Sequence, residues 1–338
     1  MCKKILILAF LTLIMALVFV FAGLKDFDEY ALKNRFLQIA AIVIVAICIA
    51  VSTVIFQTLC NNKILTPAII GLDSLYMLLQ SALVFSLGSA NLSVYRNDIN
   101  FLITLACMVV FSLGSANLSV YRNDINFLIT LACMVVFSLG LYKILFSSDK
   151  SIYLIMLLGL IFGTLFSTLS SFFEILIDPD EFMIIQGRMF ASFDNVAFDV
   201  LALAYIVTLL SFIWIFRYMK FLDPLSLGKD LSINLGINYQ KISKHLMIII
   251  AILTSISTAL VGPITFLGLL VVNITYELFK TAKHSILLLA CILISILALL
   301  GGVFFVSRIF DYNTTISVII NFLGGIYFIY LVLKGNKL

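Results

Sequence analysis

Long apolar runs separated by polar stretches recur along the chain, at about 5–22, 39–59, 68–86, 152–172, 200–216, 245–260, 286–306 and 315–333. At about 1.5 Å of rise per residue, each run covers most or all of a hydrocarbon layer about 30 Å thick. Their continuity excludes a β-barrel, whose strands would alternate over about ten residues. Gly262 and Pro263 introduce one more apolar stretch, PITFLGLLVVNITYELFKTAKHS. Pro suits the first turn of a helix and Gly the turn before it, so GPIT predicts a break and restart at membrane depth. A broken helix persists in lipid only where it is buried in protein or lines a cavity. The pattern predicts an all-α integral membrane protein forming a single transmembrane domain over 1–338.

The polar interruption from Arg217 to Lys244 orients the rest. It holds Arg217, Lys220, Lys229, Lys241 and Lys244 against Asp223 and Asp230, the signature of a cytoplasmic loop. Within it Leu227, Leu231, Ile233, Leu235 and Ile237 recur among polar residues, and Gly236 suits a helix terminus, so Leu225 to Gly236 reads as a short helix and turn. Such a loop either docks a cytoplasmic partner or is a solvated connector. Lys3 and Lys4 place the N-terminus on the same side, before a run that lacks a small-residue cleavage site and reads as a retained first span. Lys33 and Arg35, before the second span, then fall outside, where an acidic partner would account for them. Asp73, at the start of the third span, is either a buried functional carboxylate or an acid favoured by the helix dipole.

Residues 85–110 and 111–136 are identical at all 26 positions, and FSLG follows a third time at 137–140. Natural repeats diverge from copy to copy, so identity points to a recent tandem duplication or to an error in assembling the sequence. Counting one copy as a span puts Arg96 outside, Lys143 and Lys150 inside, the acidic 177–181 stretch outside, Lys280 and Lys283 inside, Arg308 outside, and Lys334 and Lys337 inside. Counting both would expel the most basic loop. The charge pattern therefore predicts ten spans, with the surplus copy of the duplicated 85–136 segment an anomaly. In the 152–172 span Gly159, Gly163, Ser167 and Ser171 stand four apart, a small-residue stripe for close helix approach or a smooth pore lining.

Composition narrows the functions. The chain is 63% hydrophobic and 11% charged, with a mean hydropathy of +1.20 and a net charge of +4 that gathers at run ends. Topology and anionic lipid account for that charge, so nothing points to nucleic acid. The six cysteines lack CxxC spacing and the two histidines stand at segment edges, so neither forms a metal cluster. No phosphate-binding loop, zinc-protease or serine-hydrolase motif is present, and Asp73 stands alone as an intramembrane acid. This favours a transporter over an enzyme. The scarcity of mid-span ionisable groups favours an external motor over a proton-coupled carrier.

The sequence resembles the FecCD-type permeases of bacterial ABC importers for iron-siderophore complexes, haem and vitamin B12. The residues that carry the resemblance are Gln57, Asn62, Leu65, Pro67 and Gly71 in FQTLCNNKILTPAIIGLDSLYML, together with LDPLSLGKDLSINLGI, VGPITFLGLLVVNITYEL and the terminal FLGGIYFIYLVLK. SSFFEILIDPDEFMIIQGRMFASF and GPITFLGLLVVN are similar to the catecholate-siderophore branch, in which two different permeases pair. The resemblance implies a BtuC-like fold of ten transmembrane helices in the bacterial inner membrane. It also implies a second permease subunit, two cytoplasmic ATPase subunits that use the ATP, and an extracytoplasmic substrate-binding protein. No cofactor and no catalytic residue are implied in this chain.

The ATPase coupling segment corresponds to Leu225, Ser226, Leu227, Gly228, Leu235 and Gly236. Arg35 and Arg308 match external arginines that meet acidic residues of the binding protein. The family's first arginine aligns with Leu32, with Lys33 beside it and Asn34 where a proline usually stands. Asp73, Gln80, Gly159, Gly163 and Ser167 are candidates for the translocation path of a ferric siderophore. The alternatives are a gradient-driven carrier of a hydrophobic solute, which would act without an ATPase, and a non-transporting scaffold, which would copurify with no partner.

Overall fold

The computed structural model describes residues 2–22, 29–88, 127, 130–137, 140, 152–179, 182–183, 186, 190–193, 196, 198–310 and 314–335. Most of the duplicated segment lies outside the described residues, as do Arg96, Lys143, Lys150, Asp180, Glu181, Arg188, Asp311 and Lys337.

The described residues contain helices and no strand. In chain order they are α1 (Cys2–Phe21), α2 (Glu29–Cys60), a 3-10 turn (Pro67–Ile70), α3 (Leu72–Gly88), α4 (Ile152–Leu176), α5 (Phe198–Leu225), α6 (Lys229–Asn234), α7 (Tyr239–Val261), α8 (Leu267–Phe279), α9 (His284–Ile309) and α10 (Ile316–Gly335). Six of these, α1, α2, α4, α5, α7 and α9, are long and apolar enough to cross a membrane, and α8 and α10 contain shorter apolar helices.

α2 is apolar on every side along its second half, which suits a helix surrounded by others. Its consecutive residues Ala50 and Val51, and then Val54, Ile55 and Phe56, are all buried. It runs between α7 and α9 and also touches α5 and α8. α1 packs on α9 and exposes Leu6, Phe10, Leu13 and Leu17, an apolar outer face suited to lipid. α3 pairs with α4. Where lipid is as apolar as the side chains, close backbone approach holds helices together. Gly159 and Gly163 of α4 meet the 3-10 turn in this way: a Cβ added at Gly159 would lie 2.4 Å from the Ile69 carbonyl oxygen, and one at Gly71 would lie 3.0 Å from Gly163 Cα.

Pro67 opens the 3-10 turn rather than the long helix, and Gly71, at φ +85°, turns the chain into α3. The break at Gly262 is present, with Gly262 at φ +107° and its N–H donated to Thr258 O at 2.8 Å. The restart comes later than the proline suggests. Ile264 to Phe266 separate Pro263 from α8, and Phe266 is seated against Gly324 of α10. Tertiary packing of this aromatic ring thus sets where α8 begins.

Part of the second repeat copy is described. Its Met134 is buried with Leu72, Leu75 and Tyr76 of α3, and just past that copy the Phe137 ring centroid lies 4.9 Å from that of Phe166 in α4.

The two ends of the bundle differ in what they collect. At one end are Lys4, whose Nζ donates to Leu278 O at 2.9 Å, Lys63, 4.8 Å from the Tyr276 ring centre, the end of α5, α6 and the start of α9. At the other are the end of α1, the start of α2 and the end of α9.

Candidate functional site

The Leu225 to Gly236 stretch forms a compact projection. Leu225 is buried at the end of α5, and Gly228 precedes α6 at φ +97° and ψ 168°, a backbone region essentially restricted to glycine. The end of α6 closes with a Schellman motif: Gly236 N–H donates to Ile233 O at 2.9 Å and Ile237 N–H to Ser232 O at 3.1 Å, with Gly236 at φ +78°. Asn238 then caps α7 by accepting from Lys241 N at 3.1 Å. Buried Ser232 is bonded back to Pro224 O at 3.0 Å, so α6 is held against the end of α5.

Among what α6 and its flanks leave uncovered is a cluster of apolar side chains. Leu227, Leu231, Ile233 and Leu235 are 54%, 54%, 48% and 61% exposed, in a stretch that also exposes Lys229 and Asp230. Unlike the exposed leucines of α1, these stand among exposed charged and polar residues. They fit a protein surface.

Beside this projection Asp223, Thr58 and His284 meet. Asp223 Oδ1 accepts from His284 N–H at 2.8 Å and lies 2.6 Å from His284 Nδ1, while His284 Nε2 lies 2.9 Å from Thr58 Oγ1. Thr58 in turn donates to Val54 O at 2.8 Å. The junction joins the ends of α5 and α2 to the start of α9. Spacing along the chain places His284 only at a segment edge. Its aspartate partner is 61 positions away, and no spacing rule pairs them.

At the opposite end Arg35 donates to Val20 O at 2.5 Å and to Ala22 O at 2.9 Å, and Arg308 also donates to Ala22 O. Two guanidinium groups from α2 and α9 therefore converge on the last carbonyls of α1, where a helix terminus favours cations. Lys33 is exposed nearby on α2.

The path candidates are dispersed. Asp73 stands in the first turn of α3 and accepts from Thr265 Oγ1 at 2.9 Å, across the break between α7 and α8. It lines a cavity with Ser52, Thr66, Thr254, Ser257 and Thr265, so hydroxyl groups from α2, α7 and the break surround one carboxyl group. Gln80 is buried, with Nε2 3.4 Å from Thr130 Oγ1, between α3 and the second repeat copy. Gly159 and Gly163 face the 3-10 turn, whereas Ser167 is exposed. Asp73 and Gly163 thus flank the same turn, and Gln80 and Ser167 lie elsewhere. Among the described residues no group of three or more His, Cys, Asp or Glu side chains is placed to hold a metal.

The chain is similar to known proteins along nearly its whole length. The profile described as the FecCD transport family matches residues 5–334. The chain is 48% identical over 335 residues to the petrobactin import system permease protein YclO of Bacillus subtilis, covering 99% of this chain and 98% of the relative. It is 34% identical over 307 residues to the petrobactin import system permease protein FatC of Bacillus anthracis, covering 90% and 79%. In fold it is similar to a solved inward-facing conformation of a metal-chelate type ABC transporter, with a TM-score of 0.74 and 21% identity over 99% of this chain and 100% of that one.

Proposed function

The chain belongs to the FecCD transport family, and we propose from that premise that it is the permease subunit of an ATP-driven importer of ferric siderophores of the petrobactin kind. It is a multi-pass inner-membrane protein and a transport subunit rather than an enzyme. Hydrolysis of ATP falls to separate subunits.

The observation that carries the reading is the exposed apolar face of α6, set in the most basic loop of the chain. In this reading that end of the bundle is cytoplasmic, and Leu225, Ser226, Leu227, Gly228, Leu235 and Gly236 belong to the seat of an ATPase subunit. Arg35, Arg308 and Lys33 face the extracytoplasmic binding protein, and a second permease subunit completes the translocation path. The full chain makes ten spans, with 130–137 belonging to the fourth. Closure of the ATPases displaces α6, the helices rock, and the ferric complex passes along a weakly polar wall to which Asp73 and its hydroxyl neighbours contribute. A large chelate is served better by such a wall than by a tight site, because it must be released.

Copurification tests the reading. With the ATPase subunit coexpressed, Leu227→Asp and Leu231→Asp are expected to abolish its retention on the tagged permease. Retention at the unsubstituted level would overturn the assignment of α6. Uptake of ferric petrobactin by vesicles holding the complete complex tests the substrate, and ATP-dependent uptake is the expected result.

A further inference from the structure

The hydrogen-bond chain that begins at α6 does not stop at the exposed loop. Ser232 is bonded to Pro224 O, Asp223 adjoins Pro224, and Asp223 holds both the backbone N–H and the ring Nδ1 of His284. The other side of that ring touches Thr58 of α2. His284 is 6% exposed and Asp223 is 55% exposed at the side chain, so the pair joins a surface carboxyl group to a buried imidazole. Lys283 is the other charged group that acts on Asp223 there.

The two helices pinned by His284 are the same two that carry the arginines of the opposite end. α2 begins near Arg35 and ends at Thr58 and Cys60, whereas α9 begins at His284 and ends near Arg308. They pack against each other between those ends. Helices transmit axial displacement stiffly, and a packed pair pinned at one end carries that displacement to the other.

We infer that Asp223 and His284 are positioning residues which lock the coupling helix α6 to the α2–α9 pair, so that a displacement at the ATPase seat reaches the arginine-bearing end. This rests on the reading of α6 as that seat. The geometry gives the link a direction of failure. Without the Asp223–His284 bond, α6 remains attached to α5 through Ser232 and moves without α9.

Side-chain mimicry tests it. His284→Gln keeps a donor near the Nε2 position and the backbone N–H on Asp223 but loses the ring donor facing it, whereas His284→Asn keeps a donor near Nδ1. Asp223→Ala removes the acceptor of both bonds. Amide hydrogen exchange is measured on the assembled complex with its ATPase subunits, with and without a non-hydrolysable ATP analogue. In the unsubstituted complex the analogue is expected to change exchange both at 229–234 and at 284–290. In Asp223→Ala, which loses both bonds, the change at 229–234 persists and that at 284–290 is lost; His284→Gln, which keeps the backbone N–H on Asp223, weakens the change at 284–290, and His284→Asn restores it. Transport per ATP hydrolysed is expected to fall about tenfold in Asp223→Ala and less in His284→Gln, the scale of losing a charge-assisted hydrogen bond.

A nucleotide response at 284–290 that survives in both Asp223→Ala and His284→Gln overturns the inference. So does a loss in His284→Asn equal to that in His284→Gln, which would mark a purely structural role. If the unsubstituted complex shows no response at 229–234, the ATPase does not sit on α6 and the functional reading fails first. Should His284→Gln not assemble, Asp223→Ala decides the matter alone.

Discussion

At the scale of single residues, glycine contacts distinguish positions that the sequence makes equivalent. Gly159 and Gly163 belong to one stripe of small residues, yet a Cβ at Gly159 would lie 2.4 Å from the Ile69 carbonyl oxygen, and one at Gly163 would lie 3.6 Å from Gly71 Cα. The first separation requires backbone to move; the second is ordinary contact. Gly159→Ala is therefore expected to destabilise by about 1–3 kcal/mol, the usual range for overpacking. Gly163→Ala is expected to be neutral or slightly stabilising, since alanine is favoured over glycine inside a helix by roughly 0.5–1 kcal/mol. Thermal unfolding of the detergent-purified protein measures both, and equal shifts would contradict the crossing geometry.

At the scale of elements, the short helix α6 depends on its two terminal glycines for different reasons. Gly236 occupies the left-handed position of a Schellman motif, which asparagine also adopts. Gly228 has φ +97° with ψ 168°, where any side chain is strained by about 1–3 kcal/mol. Gly236→Asn is thus expected to retain the ATPase subunit on copurification, while Gly228→Asn weakens that retention. The same element carries an apolar surface that its own fold does not cover. α6 has six residues, too few to be stable without the packing of Ser232 and Leu225 behind it.

At the scale of the molecule, sidedness follows from where the charges gather. Lys229→Cys, in a background with Cys2, Cys107 and Cys133 replaced by serine, is expected to react with a membrane-impermeant thiol reagent only from the cytoplasmic side. The remaining native thiols, Cys48, Cys60 and Cys291, are buried and do not compete. Labelling from the opposite side would invert the topology and move the ATPase seat with it. The arginines at the far end should govern encounter with the binding protein more than the lifetime of the complex. The double substitution Arg35→Gln with Arg308→Gln is expected to slow association about tenfold at low salt and less at high salt, since exposed pairs contribute only about 0.2–1 kcal/mol each. Both side chains also hold Ala22 O, so a small loss of stability at the end of α1 is expected alongside.

The class of molecule was legible in the residues alone, together with the candidates for its working parts. Apolar runs of membrane length specify helices because lipid offers backbone polar groups no other partner, and Lys and Arg predict orientation because they stay with the loops. Gly236, Gly262 and the apolar residues around Leu231 were legible for local reasons, through backbone conformation and period. Packing decided everything that depends on which helices meet. Pro263 does not start α8, because Phe266 packs on Gly324 and delays the restart. Asp73 meets Thr265 across 192 positions, Arg35 and Arg308 share the Ala22 carbonyl, and His284 takes Asp223 as its partner. Those pairings arise where elements distant in sequence pack together, and apolar periodicity cannot name a neighbour when the long helices are apolar on most of their surface.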